Sequence, residues 1–174
     1  QERPFALLPD PSFLYLSKGH STALTLLRYS IMNRQGFTVV SGEVGSGKTT
    51  LVNRLLDEMP TGVTVGLINF TTQTFGEMAE WIMMAYGLPY KNKGKVELYE
   101  DFVQFMIREY AAGRPVVLIV DEAQNLGIRG LEEIRMLSNV NAQKEYLLHV
   151  ILVGQPELRA LLQTPQLRQL TQRV

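Results

Sequence analysis

Residues 36–50 read GFTVVSGEVGSGKTT: a short apolar run, then a loop with glycines at 42, 45 and 47, then Lys48, Thr49 and Thr50. Glycine admits positive φ and close backbone approach. Such a loop is either a plain turn or a cradle for a ligand that touches main-chain N–H groups. Gly42-Glu43-Val44-Gly45-Ser46-Gly47-Lys48-Thr49 matches G-x-x-x-x-G-K-[ST], the phosphate-binding P-loop. A chance match in a chain of average composition is on the order of one per cent. The motif also sits where it must, after a strand and before a helix, so the cradle is the better reading. In it, the loop amides and the helix N-terminus hold α- and β-phosphates. Lys48 reaches the β/γ oxygens, the Thr49 hydroxyl ligates Mg²⁺, and Thr50 contacts the α-phosphate.

Working outward, apolar periodicity predicts helices over 20–34, 48–59, 74–87, 96–112 and 129–140. Strands are predicted at 36–42, 63–70, 115–122 and 147–155, the last two apolar on both faces and therefore buried on both. The tail reads as two helical pieces broken at Pro165, and residues 1–19 as an extended arm with apolar anchors. Strands alternating with helices predict an α/β domain with a parallel sheet flanked by helices, here over 20–174. Ligands on such sheets bind beyond the carboxyl ends of the strands. Ser41–Thr50, Asn69, Asp121–Glu122 and Gln155 are the polar residues expected to meet there.

Asp121 and Glu122 follow the apolar run Val116–Val120. An Asp ending a buried strand is costly unless it faces a cation or donors. Opposite a P-loop it can hold the water shell of Mg²⁺, and the next Glu suits a general base that polarises an attacking water. A pair that merely caps the next turn is the competing reading. The Glu favours hydrolysis of ATP to ADP over phosphate transfer to a small acceptor. Gln155, ending the fourth long strand, would point at the γ-phosphate or the water if that strand lies between the other two. Asn69 would sit near Glu122 and hold it back. His20, at the start of the first helix, is a candidate for the nucleotide or a structural residue. Among the tail arginines, Arg173 and then Arg168 are candidates for completing a neighbouring subunit's site. Trp81, Met78, Met83 and Met84 read as packing, and Lys91, Lys93 and Lys95 as a solvated basic loop.

Composition narrows the class. The 174 residues suffice for one domain with a sizeable core. Seventeen basic residues balance seventeen acidic ones, so no global positive field recruits nucleic acid or anionic lipid. Without cysteine there is neither a disulfide framework nor a thiolate metal site. No apolar run is long enough to span a bilayer, and the first residues do not form a signal peptide. The expectation is a soluble, cytoplasmic domain.

PFALLPDPSFLYLSKGHSTAL, GFTVVSGEVGSGKTTL, LIVDEAQNL and HVILVGQPELRALL together resemble the ExeA-type AAA+ ATPases of bacterial secretion and pilus systems. The resemblance covers nearly the whole chain, and the arm is its most discriminating part. It implies a P-loop AAA+ core, cut before a fifth strand and a helical lid. It implies an ATPase that forms homo-oligomers with nucleotide at subunit interfaces and helps to assemble an envelope machine. By order along the chain it assigns Gln155 as the polar sensor and Arg173 as the arginine finger. The rival is an AAA+ ATPase of DNA transposition, which shares DEAQ but would need a basic face and salt-dependent DNA binding.

Overall fold

The computed structural model describes residues 18–69, 77–142 and 145–172. Along the chain it forms α1 (Lys18–Met32), β1 (Phe37–Ser41), α2 (Lys48–Asp57), β2 (Thr64–Asn69), α3 (Met78–Ala85) and α4 (Lys95–Ala111). There follow β3 (Val116–Asp121), a 3₁₀ turn (Ala123–Leu126), α5 (Gly127–Leu137), β4 (Asn141–Ala142), β5 (Glu145–Tyr146) and β6 (Leu148–Gly154). The chain closes through α6 (Pro156–Leu162), a second 3₁₀ turn (Pro165–Leu167) and α7 (Arg168–Thr171).

Four strands form one parallel sheet in the order β1-β6-β3-β2. β3 and β6 are buried at every position, as continuous apolar runs require. Their period-2 alternation divides the core. Val116, Leu118, Val120, Leu148, Val150 and Leu152 face a layer that includes Met78, Ile82, Phe102, Met106, Leu131 and Ile134 of α3, α4 and α5. Val117, Ile119, Ile151 and Val153 face Leu24, Leu27, Ile31, Leu51, Val52 and Leu55 of α1 and α2. Each such side chain contributes about 1.5–3 kcal/mol by leaving water, so a charge at Ile119 would break the sheet's contact with α1 and α2. The same alternation sets Asp121, two residues beyond Ile119, on the α2 side.

Several element boundaries differ from expectation. α1 begins at Lys18, so the last two residues assigned to the arm are helical; residues 1–17 lie outside the described residues. The helix predicted over 129–140 is Gly127–Leu137, preceded by the 3₁₀ turn. The helix predicted over 74–87 is Met78–Ala85, with 74–76 outside the described residues. The antiparallel pair β4–β5 has two residues per strand, too few for any periodicity to register. Trp81 packs against the core and Met78 and Met83 are buried in it, while Met84 is exposed. Lys93 pairs with Asp101 and Lys95 with Glu77, which makes them ordinary charged surface. Among the described residues no helix is long and apolar enough to cross a membrane.

His149 lies on the α1 side of β6, 3% exposed. Its Nδ1–H donates to the Gln35 carbonyl, and Nε2 lies 3.4 Å from Thr38 Oγ1 and 3.3 Å from Ser30 Oγ. Ser30 Oγ itself donates to the Leu27 carbonyl, leaving Thr38 as the donor to Nε2. Burial pushes the imidazole down to about 4. The unfolded chain therefore binds a proton, near pH 6.5, that the fold refuses until about pH 4, and stability is lost as pH falls through that window. Glu109 acts lower: hydrogen bonds from Arg114 hold it at about 2, so its contribution is lost as pH falls from about 4.5 toward 2. From the His149 values, unfolding free energy should drop by about 2 kcal/mol between pH 7 and pH 5. Urea titrations at the two pH values measure this, and His149→Gln should remove most of the drop. A drop that survives in His149→Gln would assign it to other groups.

Candidate functional site

The P-loop folds as its glycines dictate. Gly47 caps α2 at φ 82°, where an L-residue is disfavoured by about 1–2 kcal/mol. A Cβ there would also lie 3.1 Å from His20 Nε2. That ring nitrogen is 2.8 Å from the Ser46 carbonyl, so α1 braces the loop through His20. His20 thus touches the loop backbone. Ser46 N–H donates to the Glu43 carbonyl at 3.1 Å, and Leu51 N–H opens the α2 ladder on Gly47. Lys48 Nζ turns back over the loop and donates to the carbonyls of Gly42 (2.7 Å) and Glu43 (2.9 Å). These are bonds that an incoming anion could replace.

Because Asp121 faces α2, its Oδ2 meets the Thr49 hydroxyl, which donates at 2.9 Å. Oδ1 accepts the backbone N–H of Glu122, also at 2.9 Å. Asp121 is 2% exposed, so both bonds offset the loss of water. Glu122 then adopts φ 53°, ψ 38°, the left-handed region, where a non-glycine residue costs about 1–3 kcal/mol. The chain leaves β3 sharply there, and the Glu122 carboxyl comes to the loop side. A cavity of about 270 Å³ is lined by Val44, Gly45, Gly47, Lys48, Thr49, Thr50, Glu122 and Gln155. It gathers residues from β1–α2, β3 and β6, three of the four segments that the sequence placed at one sheet edge; Asn69 of β2 is not in its lining.

Gln155 reaches the site because β6 lies between β1 and β3, the condition on which its candidacy rested. Its Nε2 is 3.2 Å from Glu122 Oε2. The shorter bond to that oxygen comes from Gln124 Nε2, at 2.6 Å, a residue the sequence reading passed over. The string Asp-Glu-Ala-Gln could have drawn attention to it, since the 3₁₀ turn folds residue 124 back toward residue 122. Asn69, exposed at the end of β2, stands in register beside Asp121. The amides on the Glu122 carboxylate are those of Gln124 and Gln155. No arginine lines the cavity among the described residues. Arg168 borders a separate hollow with Leu162, Thr164, Pro165 and Thr171, and Arg173 lies outside the described residues.

Mg²⁺ fits this donor set. Thr49 and Asp121 offer two hard oxygens, and among the described residues no group of three His, Cys, Asp or Glu forms an all-protein metal site. Magnesium commonly takes one or two protein oxygens, the rest coming from water and phosphate.

Residues 31–162 match the AAA domain family. Over 99% of its length the chain is 38% identical to General secretion pathway protein A of Aeromonas hydrophila, and it spans 32% of that protein. The similarity supports the ExeA-type resemblance drawn from the sequence. Among solved structures, the fold is similar to CDC6P of Pyrobaculum aerophilum (TM-score 0.66, 18% identity, 92% of this chain and 45% of that one). It is also similar to the ORC2 protein of Aeropyrum pernix (TM-score 0.62, 18% identity, 96% and 49%).

Proposed function

The chain belongs to the AAA domain family, and from that premise we propose that it binds and hydrolyses ATP to drive or gate assembly of a bacterial secretion or pilus envelope complex. One observation carries the enzymatic half: a single cavity holds the P-loop lysine and threonines together with Glu122 and Gln155. In this reading the loop amides and the start of α2 bind the α- and β-phosphates. Lys48 exchanges its two carbonyl partners for β/γ oxygens, and Thr50 meets the α-phosphate. Thr49 and Asp121 would hold Mg²⁺, which supplies neutralisation of the phosphate charge. Glu122 accepts a proton from the attacking water, and Gln155 orients that water or the γ-phosphate.

The biological half rests on the similarity to a secretion-pathway protein, of which this chain spans about a third. A cytoplasmic location and a homo-oligomer belong to the same proposal. An arginine supplied by a neighbour, Arg173 or Arg168, belongs to that proposal as well. DNA targeting is the weaker reading. Among the described residues, eight basic side chains are tied to carboxylates, which leaves less free charge for phosphate contacts.

Lys48→Ala should weaken ATP binding about 10- to 100-fold or more by removing a charge-assisted contact. Equilibrium binding of a fluorescent ATP analogue reads this, and unchanged affinity would sink the P-loop assignment. Glu122→Gln should keep ATP affinity and lower kcat by about 10²- to 10⁴-fold. Phosphate release under saturating ATP measures it, and retained turnover would assign the water to another group. Specific activity should climb with protein concentration if a neighbour completes the site. Arg173→Ala should abolish that climb while sparing ATP binding, and an undiminished climb would move the finger elsewhere.

A further inference from the structure

Gln124 joins β3 and β6 just beyond the point where their ladder stops, at Val120 and Leu152. Its amide nitrogen donates to Glu122 Oε2 at 2.6 Å, just past β3. Its amide oxygen accepts the backbone N–H of Gln155 at 3.0 Å, just past β6. Both ends of one planar group are therefore committed, and the group can neither rotate nor flip without losing a bond. The space it fills is kept open by Gly154. A Cβ there would lie 2.6 Å from Gln124 Oε1 and 2.9 Å from Leu158 Cδ2. Glu122, set in a left-handed turn, has its carboxylate direction fixed by Gln124 and, at 3.2 Å, by Gln155.

We propose that Gln124 is a positioning residue for ATP hydrolysis: it aims the Glu122 carboxylate and ties that aim to the position of Gln155. The inference rests on the reading of Glu122 as the base. A general base is useful only within hydrogen-bond reach of the proton it takes, and a displacement of about 1 Å can cost about 100-fold in rate. Gln124 lines no part of the cavity, so its effect should fall on turnover and not on nucleotide affinity.

Two substitutions separate its two bonds. Gln124→Met fills the same length and makes neither bond. Gln124→Glu can still accept from the Gln155 N–H but offers Glu122 no donor. Both should lower kcat by about 10- to 100-fold and leave the affinity for an ATP analogue within about twofold. On a Glu122→Gln background, Gln124→Met should cost nothing further, because the group it aims is already gone. A structural role would not produce that loss of additivity. Wild-type kcat in Gln124→Met, with Glu122→Gln inactive, would overturn this inference and leave the proposed hydrolysis standing. Full turnover in Glu122→Gln would remove the base itself, and this inference with it. An equal loss on both backgrounds would overturn the route through Glu122. If Gln124→Met does not fold, Gly154→Ala tests the same link by pushing the Gln124 oxygen aside. It should lower kcat without changing ATP affinity, and wild-type kcat there would overturn the inference.

Discussion

The carboxyl group of Asp121 has almost no contact with water, and the arrangement around it follows from that. A buried carboxylate costs several kcal/mol unless its oxygens find partners. Here one oxygen takes the Thr49 hydroxyl and the other takes the next residue's N–H. The first bond pins the start of α2, and with it the P-loop, against the end of β3. The second bends the chain so that Glu122 enters the left-handed region and leaves the strand direction. Without that bend, the pleat would send residue 122 to the opposite face of the sheet, toward the α3–α5 layer. Satisfying one buried acid thus places the next acid beside the glycine loop.

Much of this was legible in the sequence because two strong constraints write themselves into residue type. A strand buried on both faces needs an unbroken apolar run, and Val116–Val120 and Leu148–Val153 supply it, apart from His149. A loop that turns to positive φ needs glycine there, and Gly45 and Gly47 stand at those positions. The sheet order was not in either pattern. It was needed to bring Gln155 to the cavity, and it came out with β6 between β1 and β3.

What the sequence did not yield are features whose cause is non-local or too short to repeat. β4 and β5 pair over two residues each, and Leu147 N–H then donates to the Val140 carbonyl, which closes the hairpin at its base. No periodicity marks such a pair. Gln124 is polar, near a turn and next to an alanine, which describes most turn glutamines. Its partner 31 positions later becomes visible only when β6 is set beside β3. Asn69 stands in register beside Asp121, while the left-handed turn brings Glu122 to within 3.2 Å of Gln155.

The strand order also determines what can move together. Gly42 N–H donates to the Gly154 carbonyl, extending the β1–β6 ladder by one residue into the P-loop. Gly154 precedes Gln155, whose N–H is held by Gln124, whose other end holds Glu122. Lys48 closes on the carbonyls of Gly42 and Glu43 at the head of the same chain of contacts. An anion that drew Lys48 off those carbonyls would act on the residue that anchors the loop to β6. From there, three hydrogen bonds, through Gly154, Gln155 and Gln124, link the glycine loop to the Glu122 carboxylate. A close-packed interior transmits a small displacement over that distance without any large rearrangement. The same geometry therefore both assembles the site and gives the loop a short mechanical route to Glu122.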